Sequence, residues 1–116
     1  MVRRLLTFVL ALGIVVGHAQ SRPGSLQGIV KDKRTGEVIP FATIIVKVKD
    51  VIITTGTTDF DGKYNINPLD PGTYNLTCKF IGYADFNLNG VNVAPGRPKV
   101  VNFDMTIESQ MIQEVT

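Results

Sequence analysis

The side chains that carry most protein chemistry are scarce in this chain, and their positions limit what it can do. The single histidine, His18, stands among the first twenty residues, and the single cysteine is Cys78. A Ser-His-Asp or Cys-His centre needs an imidazole to take and return a proton. A zinc site needs several imidazoles or thiolates brought together. With no histidine after residue 18 and one thiol in all, neither centre can be assembled from the rest of the chain. Carboxylates remain. Asp59 and Asp61 flank Phe60 just ahead of Gly62, a spacing that could begin a calcium loop. An EF-hand spreads its ligands over about twelve residues and closes on a glutamate, whereas Lys63 and Tyr64 follow here at once. A tight turn accounts for the same residues, with Asp61-Gly62 supplying the backbone geometry and Asp59 capping it. Gly56 and Gly62 are isolated and neither precedes a helical pattern, so no phosphate-cradling loop is expected. The expectation is no catalytic residue, no cofactor, and at most a weak calcium candidate at Asp59 and Asp61.

The elements around these residues follow a period of two. Tyr74, Leu76, Cys78 and Phe80 alternate with Asn75, Thr77 and Lys79. Successive side chains of a strand face opposite ways, so this run predicts a half-buried strand with Cys78 on its apolar face. A thiol so placed should be buried and unreactive. Val101, Phe103, Met105 and Ile107 form a second such row, and Ala42, Ile44, Val46 and Val48 a third within Phe41 to Lys49. Leu26 to Asp32, Ile53 to Asp59, Lys63 to Asn67 and Tyr83 to Asn89 are weaker runs of the same kind, with Val91 to Ala94 a short addition. Lys33 to Gly36, Asp61-Gly62, Pro68 to Gly72 and Pro95-Gly96 punctuate them, and Gly36, Gly62, Gly72, Gly82 and Gly96 are the turn glycines. An Asp-Gly pair between alternating runs marks a hairpin whose turn needs positive φ. About seven short strands in one small domain, with no helical repeat, predict an all-β, antiparallel, seven-stranded Greek-key sandwich over residues 26–107.

Residues 1–19 read differently. Arg3 and Arg4 precede the uncharged apolar run Leu5 to Val16, and Gly17-His18-Ala19 sets small residues before Gln20. That is the layout of a secretory signal peptide cleaved between Ala19 and Gln20. The apolar run is about a dozen residues, short of the roughly 20 that cross a bilayer as a helix. Without its first 19 residues, the 116-residue chain retains 97, led by a short stretch at 20–25. It also loses two of its twelve basic residues and none of its ten acidic ones, so its net charge falls to zero. A nucleic-acid surface needs clustered Lys and Arg. Lys31, Lys33 and Arg34 sit at a turn, and Lys47 and Lys49 alternate with valines, so both sets read as solvated surface. Asn75-Leu76-Thr77 matches the glycosylation acceptor pattern, and a solvent-facing Asn75 explains it equally well.

From Leu26 onward the chain resembles the carboxypeptidase regulatory-like domain, a transthyretin-like β-sandwich. Four stretches carry the likeness: Gly28 to Asp32 running into Thr35-Gly36-Glu37, Ile39 to Ile44, Thr57 to Tyr64, and Pro71 to Tyr74 on to Phe80 to Tyr83. Asp50-Val51-Ile52 departs from the pattern, which more often shows a glycine-containing turn there, so that loop is expected to differ. The resemblance implies a non-catalytic module. Such domains stand at the N-terminus of TonB-dependent outer-membrane receptors of Gram-negative bacteria, in the periplasm ahead of the TonB box, plug and barrel. Its implied partners are therefore the plug and barrel of a receptor and a TonB-type energiser, with no nucleic acid and no membrane insertion of the domain itself. Residues 108–116, rich in Glu and Gln, look like a flexible tail or linker leading towards that box.

Two readings are open. One is an interaction module, or a fragment, of an outer-membrane nutrient receptor. The other is a stand-alone secreted sandwich, with carbohydrate as a candidate ligand. Against the second, the chain has no tryptophan. Most of Phe41, Phe80, Phe86, Phe103, Tyr64 and Tyr74 fit inward strand positions, leaving Tyr83 and Phe60 as the exposed platforms. Export is the directly testable expectation. The intact mass of the exported protein should correspond to a chain beginning at Gln20, and a full-length mass would contradict the cleavage site.

Overall fold

The computed structural model describes residues 22–108. The cleavage pair Ala19 and Gln20 and the tail beyond Glu108 lie outside the described residues. Among the described residues there are eight strands: β1 (Gly24–Asp32), β2 (Thr43–Val48), β3 (Val51–Thr57), β4 (Lys63–Leu69), β5 (Gly72–Lys79), β6 (Phe86–Val93), β7 (Pro98–Val100) and β8 (Phe103–Met105). One sheet runs β4-β1-β7 with β8 also on β1, and the other runs β3-β2-β5-β6. The chain crosses between the sheets after β1, β3, β4 and β6, which gives the expected all-β sandwich.

The alternating rows make the core. Leu26 and Val30 of β1, Ile44 and Val46 of β2, Tyr64 and Ile66 of β4, Leu76 and Cys78 of β5, and Phe103 and Met105 of β8 are all buried between the sheets. Each large aliphatic or aromatic side chain so buried contributes about 1.5–3 kcal/mol. With no disulfide, this burial and the strand ladders carry the stability. Tyr64 and Tyr74 bury their rings and still satisfy their hydroxyls, which donate to the carbonyls of Val101 and Asp70 at 2.6 Å each. Burial holds the Tyr64 hydroxyl well above its ordinary pKa.

Two particulars depart from the expected layout. The final strand is split, and both pieces pair with β1 in parallel rather than antiparallel fashion. β7 registers with Ser25 to Gln27 and β8 with Val30 to Asp32. Between them the backbone of Val101 presses onto Gly28, where a Cβ would lie 1.8 Å from the Val101 carbonyl oxygen. Only glycine admits that approach. The Asn102 side chain bridges the gap, its Oδ1 accepting from the Ile29 N–H at 3.0 Å, while Val101 N–H donates to Gln27 at 2.8 Å. The other departure is in β6, which joins two expected segments into one strand. A bulge opposite Tyr74 to Leu76 absorbs one extra residue there, with Gly90 at φ 74°. The Asp50 loop is a tight turn in which Val48 pairs with Val51 and Lys49 takes φ 57°.

Among the expected turn glycines, Gly36, Gly62, Gly82 and Gly96 have positive φ, whereas Gly72 opens β5 in ordinary extended backbone. Gly62 is doubly constrained. Its φ is 74°, and a Cβ there would stand 2.7 Å from that of Val38. Its carbonyl accepts from Val30 at 2.8 Å, tying the β3–β4 turn to the central strand.

Thr58 closes the same end of the sandwich. It is buried just past β3, and its hydroxyl both donates to the Ile39 carbonyl and accepts from Ala42 N–H, each at 2.8 Å. Its backbone N–H donates to Ala42 at 2.9 Å, and its carbonyl accepts from Phe41 at 3.0 Å. Four hydrogen bonds therefore fasten the β1–β2 connection to the end of β3.

Two outcomes follow from this packing. Burial pushes the Cys78 thiol up to about 12, with the negative Asp85 reinforcing the shift. The reactive species is the thiolate, so thiol labelling at neutral pH should be slow and limited by unfolding. Rapid native labelling would place the β5 register one residue off. Thr58→Val keeps the side-chain shape but leaves the Ala42 donor and the Ile39 acceptor without their partner. The melting curve should report a loss of about 1–3 kcal/mol, and an unchanged melting temperature would contradict the clamp.

Candidate functional site

The site is built from the turns that Thr58 and Gly62 hold together at one end of the sandwich. Phe41 follows Pro40 in the connection into β2 and takes φ 61°. That left-handed conformation is rare for a bulky residue and costs about 1–3 kcal/mol unless the surroundings enforce it. The hydrogen bonds from Phe41 and Ala42 to Thr58 provide the enforcement. The outcome is an exposed ring. Phe41 is 55% accessible, and its ring meets that of Phe60 edge-on at 5.1 Å. Phe60, at the tip of the β3–β4 turn, is 80% accessible. Edge-to-face pairs of this kind are favourable by about 0.5–1.5 kcal/mol beyond burial, so the two rings fix each other's orientation although neither is in the core.

Across from Phe41, the β5–β6 loop brings Phe80 and Ile81. They line a shallow open cavity of about 360 Å³ together with Phe41, Thr43, Lys79 and Asp85. Ile81 is 89% accessible, and Lys79 and Asp85 form a surface ion pair at 2.6 Å on the cavity rim. Phe60, Phe41, Phe80 and Ile81 thus form an apolar ridge along one end of the domain, bordered by one cation and one anion. Exposed apolar groups gathered in one place are the usual mark of a contact surface.

Behind the ridge, Tyr83 packs its ring on Phe80 at 5.9 Å. Its hydroxyl donates to Asp32 Oδ2 at 2.7 Å. Asp32 Oδ1 accepts from the N–H groups of Arg34 and Thr35, at 2.8 and 3.1 Å. The Tyr83 hydrogen bond, helped by these two, holds the Asp32 carboxyl below its ordinary range, and the same contact raises the Tyr83 hydroxyl. This latch pins the β5–β6 loop to the end of β1.

The expected site residues fall into place unevenly. Phe60 is exposed at a turn tip, as expected. Tyr83 is half-buried and spends its hydroxyl on Asp32, so it is not a free platform. Phe41 takes its place. The signal for it was parity, since the buried row running into β2 is Ala42, Ile44 and Val46, which puts Phe41 with the outward residues. Asp59 caps its turn, with Oδ1 accepting from Asp61 and Lys63 N–H at 2.9 and 3.0 Å. That oxygen is committed to the turn, and among the described residues no three His, Cys, Asp or Glu side chains gather to hold a metal. No helix among the described residues is long and apolar enough to cross a membrane.

Known proteins with the same architecture place the chain. Residues 25–106 match the carboxypeptidase regulatory-like domain family. Carboxypeptidase D of Homo sapiens is 39% identical over 80 residues, which are 69% of this chain and 6% of that protein. The Mus musculus enzyme is 36% identical over the same share of each. The chain therefore corresponds to a small part of these curated relatives. Among solved structures, a candidate carbohydrate-binding protein of Bacteroides uniformis superposes with TM-score 0.61 at 20% identity, over 72% of this chain and 41% of that one. The 5-hydroxyisourate hydrolase of Klebsiella pneumoniae superposes with TM-score 0.53 at 16% identity, over 72% and 90%. At these identities the structures share the fold alone, and the family rests on the sequence match across the whole sandwich. The chain belongs to the carboxypeptidase regulatory-like domain family.

Proposed function

We propose that this domain is an exported, non-catalytic docking module, working in the periplasm as the N-terminal part of a TonB-dependent outer-membrane receptor. The observation that carries the docking reading is the apolar ridge of Phe41, Phe60, Phe80 and Ile81. Two of its rings are exposed on turns held by buried hydrogen bonds, and one stands in a conformation that its neighbours must enforce. A surface prepared in this way loses little further conformational freedom on binding. A larger open cavity of about 660 Å³ beside β1 and β4 is lined by groups such as Gln27, Asn65 and Asn102, and among the described residues no three His, Cys, Asp or Glu side chains gather in one place. The sequence holds no histidine after residue 18, its thiol is buried, and the carboxylates of Asp32, Asp59 and Asp85 are engaged in turns, a tyrosine contact or a surface pair. The export setting is supported by the Arg3-Arg4 head, the apolar run and the small residues before Gln20.

The receptor reading is tested in cells by placing a short photo-crosslinking side chain at position 60. Crosslinks to a TonB-type energiser or to a receptor plug, lost on Phe41→Ala, are the expected result. Processed protein free in the periplasm, with no such crosslink, would overturn the receptor reading.

A second reading is favoured by the same two rings and by the likeness to the B. uniformis fold. Phe60 and Phe41 could stack on the apolar face of a sugar, with Lys79 and Asp85 reaching its hydroxyls. Calorimetric titration with soluble oligosaccharides decides it. Heat of binding abolished by Phe60→Ala would establish the sugar site, and binding that survives this change would place any sugar elsewhere.

A further inference from the structure

Among the described residues the two sheets have four edges without a strand partner, and they are not equally protected. An edge strand carries unpaired N–H and C=O groups that can template another strand, and native proteins blunt such edges with charge, proline, bulges or brevity. β4 carries Lys63 and Pro68 on its edge. β7 has three residues, two of them Pro98 and Lys99, and β8 has three with Asp104 among them. β6 is bent by the Gly90 bulge and carries Asn87, Asn89 and Asn92. β3 is the exception. Its seven residues, Val51 to Thr57, contain no charge and no proline. Val51, Ile52 and Ile53 are all exposed, and six of the seven residues, all but Gly56, are β-branched with strong strand preference. Its one irregularity is a single-residue bulge at Ile53, between the pairs Val46–Thr54 and Lys47–Ile52.

The ends of β3 carry opposite charge. Lys47, Lys49 and Asp50 stand at its start, net +1, and Asp59, Asp61 and Lys63 just beyond its finish, net −1. An antiparallel partner that is itself β3 would meet each end with its complement. A dyad near Thr54 and Thr55 sets Lys47 and Lys49 of one copy against Asp59 and Asp61 of the other. A foreign strand would have to bring this charge order with it, whereas a second copy already has it. We infer that β3 is a self-association edge, where two copies of this chain pair antiparallel to make one continuous eight-stranded sheet. The pairing satisfies β3 backbone groups that have no strand partner among the described residues and covers Val51, Ile52 and Ile53. Because the dyad closes the contact, assembly stops at two.

This inference rests on the β3 edge and its end charges rather than on the ridge, although Asp59 and Asp61 flank the ridge residue Phe60, so the test reads association and not docking. The test uses the processed chain from Gln20 onward. Sedimentation equilibrium from micromolar to millimolar concentration should show a monomer–dimer transition. Amide exchange over Val51 to Thr57 should slow as dimer forms, while that of β6 stays constant. Thr55→Lys sets like charges opposite each other at the dyad and should weaken the dimer about tenfold or more. Asn92→Lys on the far edge should leave it unchanged. Lys49→Glu should weaken association, and adding Asp61→Lys to it should restore the affinity. That restoration keeps the result interpretable if Thr55→Lys disturbs the monomer. A monomer throughout the range would overturn the inference. So would assemblies larger than two, or a dimer indifferent to both Thr55→Lys and the charge exchange.

Discussion

Thr58 is the residue on which the ridge-bearing end of this domain depends. One buried hydroxyl donates to Ile39 and accepts from Ala42, while the backbone on either side of it pairs with Phe41 and Ala42. A buried hydroxyl with both roles filled adds stability, whereas one left unpaired costs about 1–3 kcal/mol. The same bonds tie the connection between β1 and β2 to the end of β3. They hold Phe41 in a left-handed conformation, turn its ring outward against Phe60, and leave Ala42 to begin the buried row of β2. Core and surface at this end are therefore set by one network.

The opposite sheet solves a different problem. Its last strand must return beside β1 while serving both ends of the sandwich. The chain breaks into β7 and β8 where the Val101 carbonyl comes down on Gly28. Tyr64 then uses that carbonyl as its hydroxyl partner, and Asn102 satisfies the amide of Ile29. A side chain at position 28 would separate the strands and remove the acceptor of a buried tyrosine, so a local steric limit and a distant hydrogen bond are coupled. The Asp32–Tyr83 contact completes the arrangement by pinning the β5–β6 loop, and with it Ile81, to the end of β1.

Much of this was legible in the sequence because strands buried on one face alternate. The Tyr74 to Phe80 run reads directly as a strand with Cys78 inside, and the Val101 to Ile107 row reads as a strand lying on the core. What did not show was pairing. Nothing in Pro98 to Met105 announces that the segment runs parallel to β1 or divides at Val101, since both depend on Gly28, which lies some seventy residues away. Tyr83 was misplaced for a related reason. Its hydroxyl partner, Asp32, is 51 residues distant, and a tyrosine after Ile81-Gly82 looks like a loop residue until that partner is known. Phe41 was recoverable from strand parity, but its apolar character argued the other way. Positive φ at a phenylalanine is not a pattern that composition or spacing can display.

The picture that results is of a two-sheet sandwich presenting a small aromatic ridge held by hydrogen bonds, and its central claim is that the ridge exists before any partner arrives. Nuclear magnetic resonance of the free domain tests this most directly. The amide–Hα coupling and intraresidue contacts of Phe41 should report a single left-handed backbone, with cross-peaks between the Phe41 and Phe60 rings. Both signals should be lost when the Thr58 hydroxyl is removed. Averaged couplings at Phe41 and no ring–ring contact in the free protein would contradict the account.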